Sequence, residues 1–184
     1  MNGVTFMNGK SKILWIARTA LFIALLVGLQ AVTAPLSQFV TGSIVNLLLI
    51  LAVMTCGYMS GIAVAVVSPI MAKLVGIGPL WGLIPFVALG NIVLVLLWRS
   101  IGERGKEHKI ALYIVTLIVA AVAKFLVLYI GVTKIAAPVI FGLPAASPIY
   151  VMFSFPQLVT AAIGGVLAIL ILPTLQKAIQ RQST

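Results

Sequence analysis

The chain has 184 residues, 62% hydrophobic and only 8% charged, with a net charge of +10. That balance describes an integral membrane protein, and its apolar runs, split by short polar breaks, suggest helices where a barrel would alternate. Most basic residues sit at the ends of apolar runs, the pattern of membrane orientation, so nucleic acid is a poor explanation of the charge.

Glu103 and Glu107 are the only acidic residues and share one polar loop. Proton- and sodium-coupled carriers place carboxylates at membrane depth, which disfavours that class. The lone cysteine, Cys56, allows no internal disulfide and reads as packing.

In chain order, an N-terminal cytoplasmic segment, residues 1–11, leads into helix one, expected over about 13–32. Lys10, Lys12 and Arg18 before that run, with Val32-Thr33-Ala34 after it, resemble a signal peptide. Pro35 would directly follow the cut and the run is long enough to span, so retention is the expectation. A turn-prone loop is expected from Thr33 to Ser43, then a run over 44–56 and a tight break at Gly57–Gly61. The third run, 62–75, carries Pro69 midway and stops at Gly76-Ile77-Gly78-Pro79. The fourth, 80–98, has Pro85 kinking it or marking its true start, and ends in the polar stretch Arg99–Lys109.

Helix five is expected over 110–132, followed by an irregular connection, Thr133–Ser154, holding Pro138, Pro144 and Pro148. Ser154 and Gln157 have capping-box spacing and open the last helix, 155–177, with Pro173 bending its final turn. The expectation is a single all-α membrane domain of six transmembrane helices. Lys and Arg at the N-terminus, in the four–five loop and in the tail then share one side, which the positive-inside rule makes cytoplasmic, both termini included.

No enzyme site is visible. His108, the sole histidine, reads as a solvated loop residue, and one histidine with two loop glutamates makes no usual metal site. Gly105-Lys106 is followed by Glu107, so a P-loop is absent and the chain has no motor of its own.

What remains is polar residues inside apolar runs. Lys73 and Lys124 both fall in the outer half under this topology, and Ala120 and Ala121 leave room beside the Lys124 stem. Asn91 lies inside helix four, Asn46 and Gln157 lie near the outer ends of their helices and Trp81 in or beside an outward loop, whereas Tyr129 points away from Lys124. Taken singly, the lysines read equally well as snorkelling, the asparagines as bonds between helices and Trp81 as an interface anchor. Together, two buried cations with no buried acid call for an anion entering from outside. On helix one, Ala20, Ala24 and Gly28 recur every four residues and form a flat strip that suits close helix approach, either within the protein or against a partner.

Three segments carry a resemblance: Ala17-Arg-Thr-Ala-Leu-Phe-Ile-Ala24, Thr41-Gly-Ser-Ile-Val-Asn46, and Gly76-Ile-Gly-Pro79 through Gly90-Asn91. With six spans, this length and a basic cytoplasmic face, the chain resembles the substrate-binding S components of energy-coupling factor (ECF) vitamin transporters, ABC-type importers of the cell membrane. The resemblance implies a helical bundle that captures a vitamin from outside and works with a membrane T component and two cytoplasmic ATPases. It implies that the helix-one alanines, Ala17, Ala20 and Ala24 with Gly28 as an extension, meet the T component, that no catalytic residue or cofactor is required, and that the first outward loop is a lid. Lys73, Lys124, Asn46, Asn91, Trp81 and Gln157 are then the expected ligand contacts. A carboxylate-bearing vitamin fits the lysines, and pantothenate best, its hydroxyl and amide groups suiting Asn46, Asn91 or Gln157; folate wants more aromatics and cobalamin a wide uncharged opening. A structural or assembly membrane protein and a stand-alone carrier are the rival readings.

Overall fold

The computed structural model describes residues 9–104 and 109–181. Residues 1–8 of the expected N-terminal segment lie outside that range, as do Lys106, Glu107 and His108 of the polar loop. The elements are α1 (Gly9–Thr33), α2 (Gln38–Cys56), α3 (Tyr58–Leu74), a 3₁₀ turn (Trp81–Leu83), α4 (Ile84–Gly102), α5 (Lys109–Leu128), a π-helical continuation (Tyr129–Ile140), a short α6 (Pro148–Met152) and α7 (Phe155–Arg181). Five helical stretches are long and apolar enough to cross a membrane, and α3 is a shorter apolar helix, giving six in all. The fold is an all-α, multi-pass membrane bundle.

Two expected loops are shorter than the sequence suggests. α2 begins at Gln38 instead of Ile44, because Ser37 accepts the Val40 N–H (3.2 Å) and caps it. The expected lid over Thr33–Ser43 is thus reduced to residues 34–37. The irregular connection after helix five begins only at Phe141. The Phe141 N–H reaches back to the Ala136 carbonyl (3.0 Å), and the wider i→i+5 winding carries the chain through Pro138. At the start of α7 the spacing marks the boundary, but the reciprocal capping box does not form. The Ser154 hydroxyl donates to the Val151 carbonyl (2.8 Å) and the Gln157 amide to the Met152 carbonyl (2.9 Å).

The break between α2 and α3 is narrowed to Gly57, whose φ of 88° and ψ of 178° exclude most side chains. Beside it, Arg99 closes the end of α2: its guanidinium donates to the Val53 and Met54 carbonyls (3.5 and 3.4 Å), pairs with Glu103 and lies 5.8 Å over the Tyr58 ring. Carbonyls left open at a helix C-terminus attract such a cation. The core next to this end packs Leu49, Ile50, Val53, Leu94, Val95, Trp98 and Leu172, all nearly inaccessible.

Among the described side chains of α1, only Thr19, Leu26 and Thr33 are buried, a line seven residues apart on a helix that rests on α2 and α3. The Thr19 and Ser60 hydroxyls join α1 to α3 at 2.7 Å. At about 100° per residue, Ala17, Ala20, Ala24 and Gly28 fall on the far side of the helix, and all four are exposed. A Cβ built on Gly28 meets nothing within 4 Å. The flat strip therefore does not pack within its own bundle.

α2 and α7 touch closely at Gly164, where a Cβ would stand 2.7 Å from Asn46 Cβ and from the Ser43 carbonyl. The missing side chain at Gly164 lets α7 approach α2 directly beside Asn46.

Candidate functional site

α5 and its π-helical continuation bury one face: Thr116, Ala120, Ala121, Lys124 and Leu128, then Val132. The spacing is that of one helix side, and the two alanines leave space along the lysine stem. Lys124 is 3% exposed, so its ammonium lies far from bulk water. It donates to Asn46 Oδ1 on α2 (2.6 Å) and to Asn91 Oδ1 on α4 (2.7 Å). An ammonium has three N–H groups, and the third has no protein acceptor among the described residues.

Each asparagine is turned by a second contact. Asn46 Nδ2 donates to the Gly42 carbonyl (2.9 Å) and to Thr160 Oγ1 on α7 (3.4 Å), engaging both its N–H groups. Asn91 Nδ2 donates to the Ala65 carbonyl (3.5 Å). Ala65 is four residues before Pro69, and a proline inside a helix removes the N–H that would bond that carbonyl. Pro69 thereby frees an acceptor on α3 that helps hold Asn91 with its Oδ1 toward Lys124.

These groups form the floor of a cavity of about 450 Å³. Its walls are mostly apolar, including Leu26, Val45, Val87, Leu128 and Phe153, and its rim is built by Gln38, residues 77–79 and Met152–Phe153. Gln38 and Gln157 both donate their amides to the Met152 carbonyl, at 2.6 and 2.9 Å, tying α2 and α7 to the α6 segment. Among the described residues, no carboxylate lines the cavity.

The expected contacts divide. Asn46, Asn91, Lys124 and Gln157 line this space together. Lys73 and Trp81 do not. Lys73 is half-buried in the last turn of α3, where the helix C-terminus favours a cation, and Trp81 is 54% exposed on the 3₁₀ turn. The inference of two buried cations is corrected to one. Asn46 has both amide N–H groups engaged, whereas Asn91 and Gln157 each donate one N–H, to the Ala65 and Met152 carbonyls. Sequence reasoning missed Gln30, Gln38, Thr41 and Ser68, which also line the cavity. Gln38 and Thr41 read as loop, while Gln30 and Ser68 fell inside apolar runs and gave no separate signal.

The sequence model of a family described as ECF transporter, substrate-specific component, matches residues 15–176. The chain belongs to that family. No curated protein and no solved structure matches it. As an ECF substrate-specific component, it is a multi-pass membrane protein of a transport complex whose partners are a T component and ATPases. The S-component resemblance of the three quoted segments is thus a membership.

The buried ammonium makes the site's internal energetics measurable without ligand. Asn91→Leu removes one of its two acceptors and should lower the stability of the unliganded protein by ~2 kcal/mol. Adding Lys124→Met should restore most of that loss, because an apolar side chain needs no acceptor. Thermal melting of the two single variants and the double variant in detergent gives the coupling. Simple additivity would show that the contact contributes nothing.

Proposed function

We propose that this S component binds a small carboxylate-bearing vitamin, with pantothenate the best match, on the outer side of the membrane and delivers it inward with a T component and two ATPases. One observation carries the reading: among the described residues, a single buried ammonium, held by two neutral amides, lines a cavity that has no carboxylate in its lining. A buried charge is costly until an opposite charge meets it, and a ligand carboxylate supplies that charge. The volume of about 450 Å³ suits a molecule of pantothenate's size. Among the described residues, Phe153 is the only aromatic in the lining, which gives a pterin ring little to stack on, and a corrinoid is much larger than the space.

The basic residues support an orientation with both termini in the cytoplasm. Lys12, Arg18, Arg99, Arg104 and Lys177 gather at the end away from the cavity, against Lys73 and Lys134 beside it. The exposed strip supports Ala17, Ala20, Ala24 and Gly28 as the T-component face. Residues 34–37 are then the outward turn over the cavity, too short to act as a lid alone.

Melting of the purified protein against a panel of vitamins tests the ligand. A ligand that binds only the folded state stabilises it by about 2.7 kcal/mol at a hundred times its dissociation constant. Pantothenate should raise the melting temperature and the uncharged vitamins should not. A protein that ignores the whole panel would be a structural membrane protein instead. Ala20→Leu or Ala24→Leu should abolish co-purification with the T component while leaving the ligand shift unchanged. A complex that survives either change would remove the strip from the interface.

A further inference from the structure

Most buried helical hydroxyls in this bundle bond back to their own helix, Ser60 pairs with Thr19 and Thr160 with the Gln157 carbonyl, and two others have no partner among the described residues. Thr19, Thr33, Ser43, Thr55 and Thr116 each donate to the carbonyl four residues back, at 2.6 to 2.8 Å, and Thr133 does the same. Such back-bonding is how a hydroxyl is satisfied where no water reaches it. Ser68 on α3 and Thr41 on α2 have buried hydroxyl oxygens with no partner, and both line the cavity. Ser68 is 1% exposed and borders the cavity, which is where a partner from outside the helices could reach it. Gln30 on α1 adds a third case, a buried Oε1 without a donor on a residue that lines the same space.

A buried polar atom left unpaired is unfavourable, and here such atoms converge from three helices on one volume. They stand above the ammonium. Thr41 lies five residues from Asn46 toward the rim, about 7 Å along the axis of α2. Ser68 lies three residues beyond Ala65 on α3, about 4.5 Å nearer the rim. A hydroxyl can donate or accept, whereas the Gln30 oxygen only accepts, so the group meeting it must carry an O–H or N–H.

We propose that Ser68, Thr41 and Gln30 are specificity-determining residues that read neutral hydroxyl or amide groups on the ligand, so that the transported molecule is a hydroxylated carboxylate inserted acid-first. This rests on the reading of Lys124 as the carboxylate partner. It adds a distinct requirement: an apolar acid of the same shape leaves three buried polar atoms unmatched and is rejected. Discrimination of this kind comes from the cost of unpaired polar groups, not from size.

Two probes separate the requirements. D-pantothenate carries a carboxylate, an amide and two hydroxyls; N-(3,3-dimethylbutanoyl)-β-alanine keeps the skeleton, carboxylate and amide but lacks both hydroxyls. Calorimetric titration of the purified full-length protein should give pantothenate an advantage of about tenfold or more. Ser68→Ala combined with Thr41→Val should weaken pantothenate by about tenfold and leave the deoxy probe bound no more weakly than before, erasing the preference. The retained affinity for the deoxy probe also reports that the variant is folded. Equal binding of both probes by the unaltered protein overturns this inference and leaves the Lys124 reading standing, as does a double variant that keeps the full preference. Failure of both probes to bind overturns both readings.

Discussion

The structure depends on one contact: the Lys124 ammonium held between the carboxamide oxygens of Asn46 and Asn91. In the low dielectric of a membrane protein interior a charge attracts dipoles strongly, and two amide oxygens are the best neutral partners available. They lower the cost of burial without cancelling the charge. The contact also joins three helices, α2, α4 and α5, at one point. Each asparagine is fixed from behind, one by Gly42 and Thr160, the other by the carbonyl that Pro69 leaves open. The site is therefore assembled before any ligand arrives, which keeps the ordering cost of binding small.

The two ends of the bundle do different work. Around the cavity, polar atoms remain unmatched and the connecting segments are tied by amide bonds to a single carbonyl, that of Met152. At the other end, Arg99 closes the α2 terminus and a dense core packs beneath it. α1 runs beside both, attached by one narrow line and presenting its flat strip outward. A chain built this way binds at one end and leaves a helix face open to a partner, consistent with a family whose components work in a complex.

Much of the fold was legible in the sequence because apolar runs of membrane length admit little but helices. The helix pairing of Lys124 with Ala120 and Ala121 was legible for the same reason, since periodicity alone places them on one face. The start of α2 was not. Gln38, Thr41 and Gly42 read as loop because polar residues ordinarily end a membrane helix, yet here they line an internal cavity. Pro138 read as a break, but a π-helical winding carries the chain past it. Lys73 and Lys124 look alike in sequence; only packing shows that one ends a helix half-exposed while the other is enclosed. Ser68 gave no signal beyond its place before Pro69, because an unmatched hydroxyl becomes visible only when its neighbours are known.

The charge at the cavity floor admits a direct test. Panthenol is pantothenate with the carboxylate replaced by a primary alcohol, nearly the same shape without the negative charge. Dissociation constants for both compounds, measured on the unaltered protein and on Lys124→Met, compare the charge on each side of the contact. The account predicts strong preference for pantothenate in the unaltered protein and loss of that preference in the variant. Equal affinity of the unaltered protein for the two compounds would contradict it.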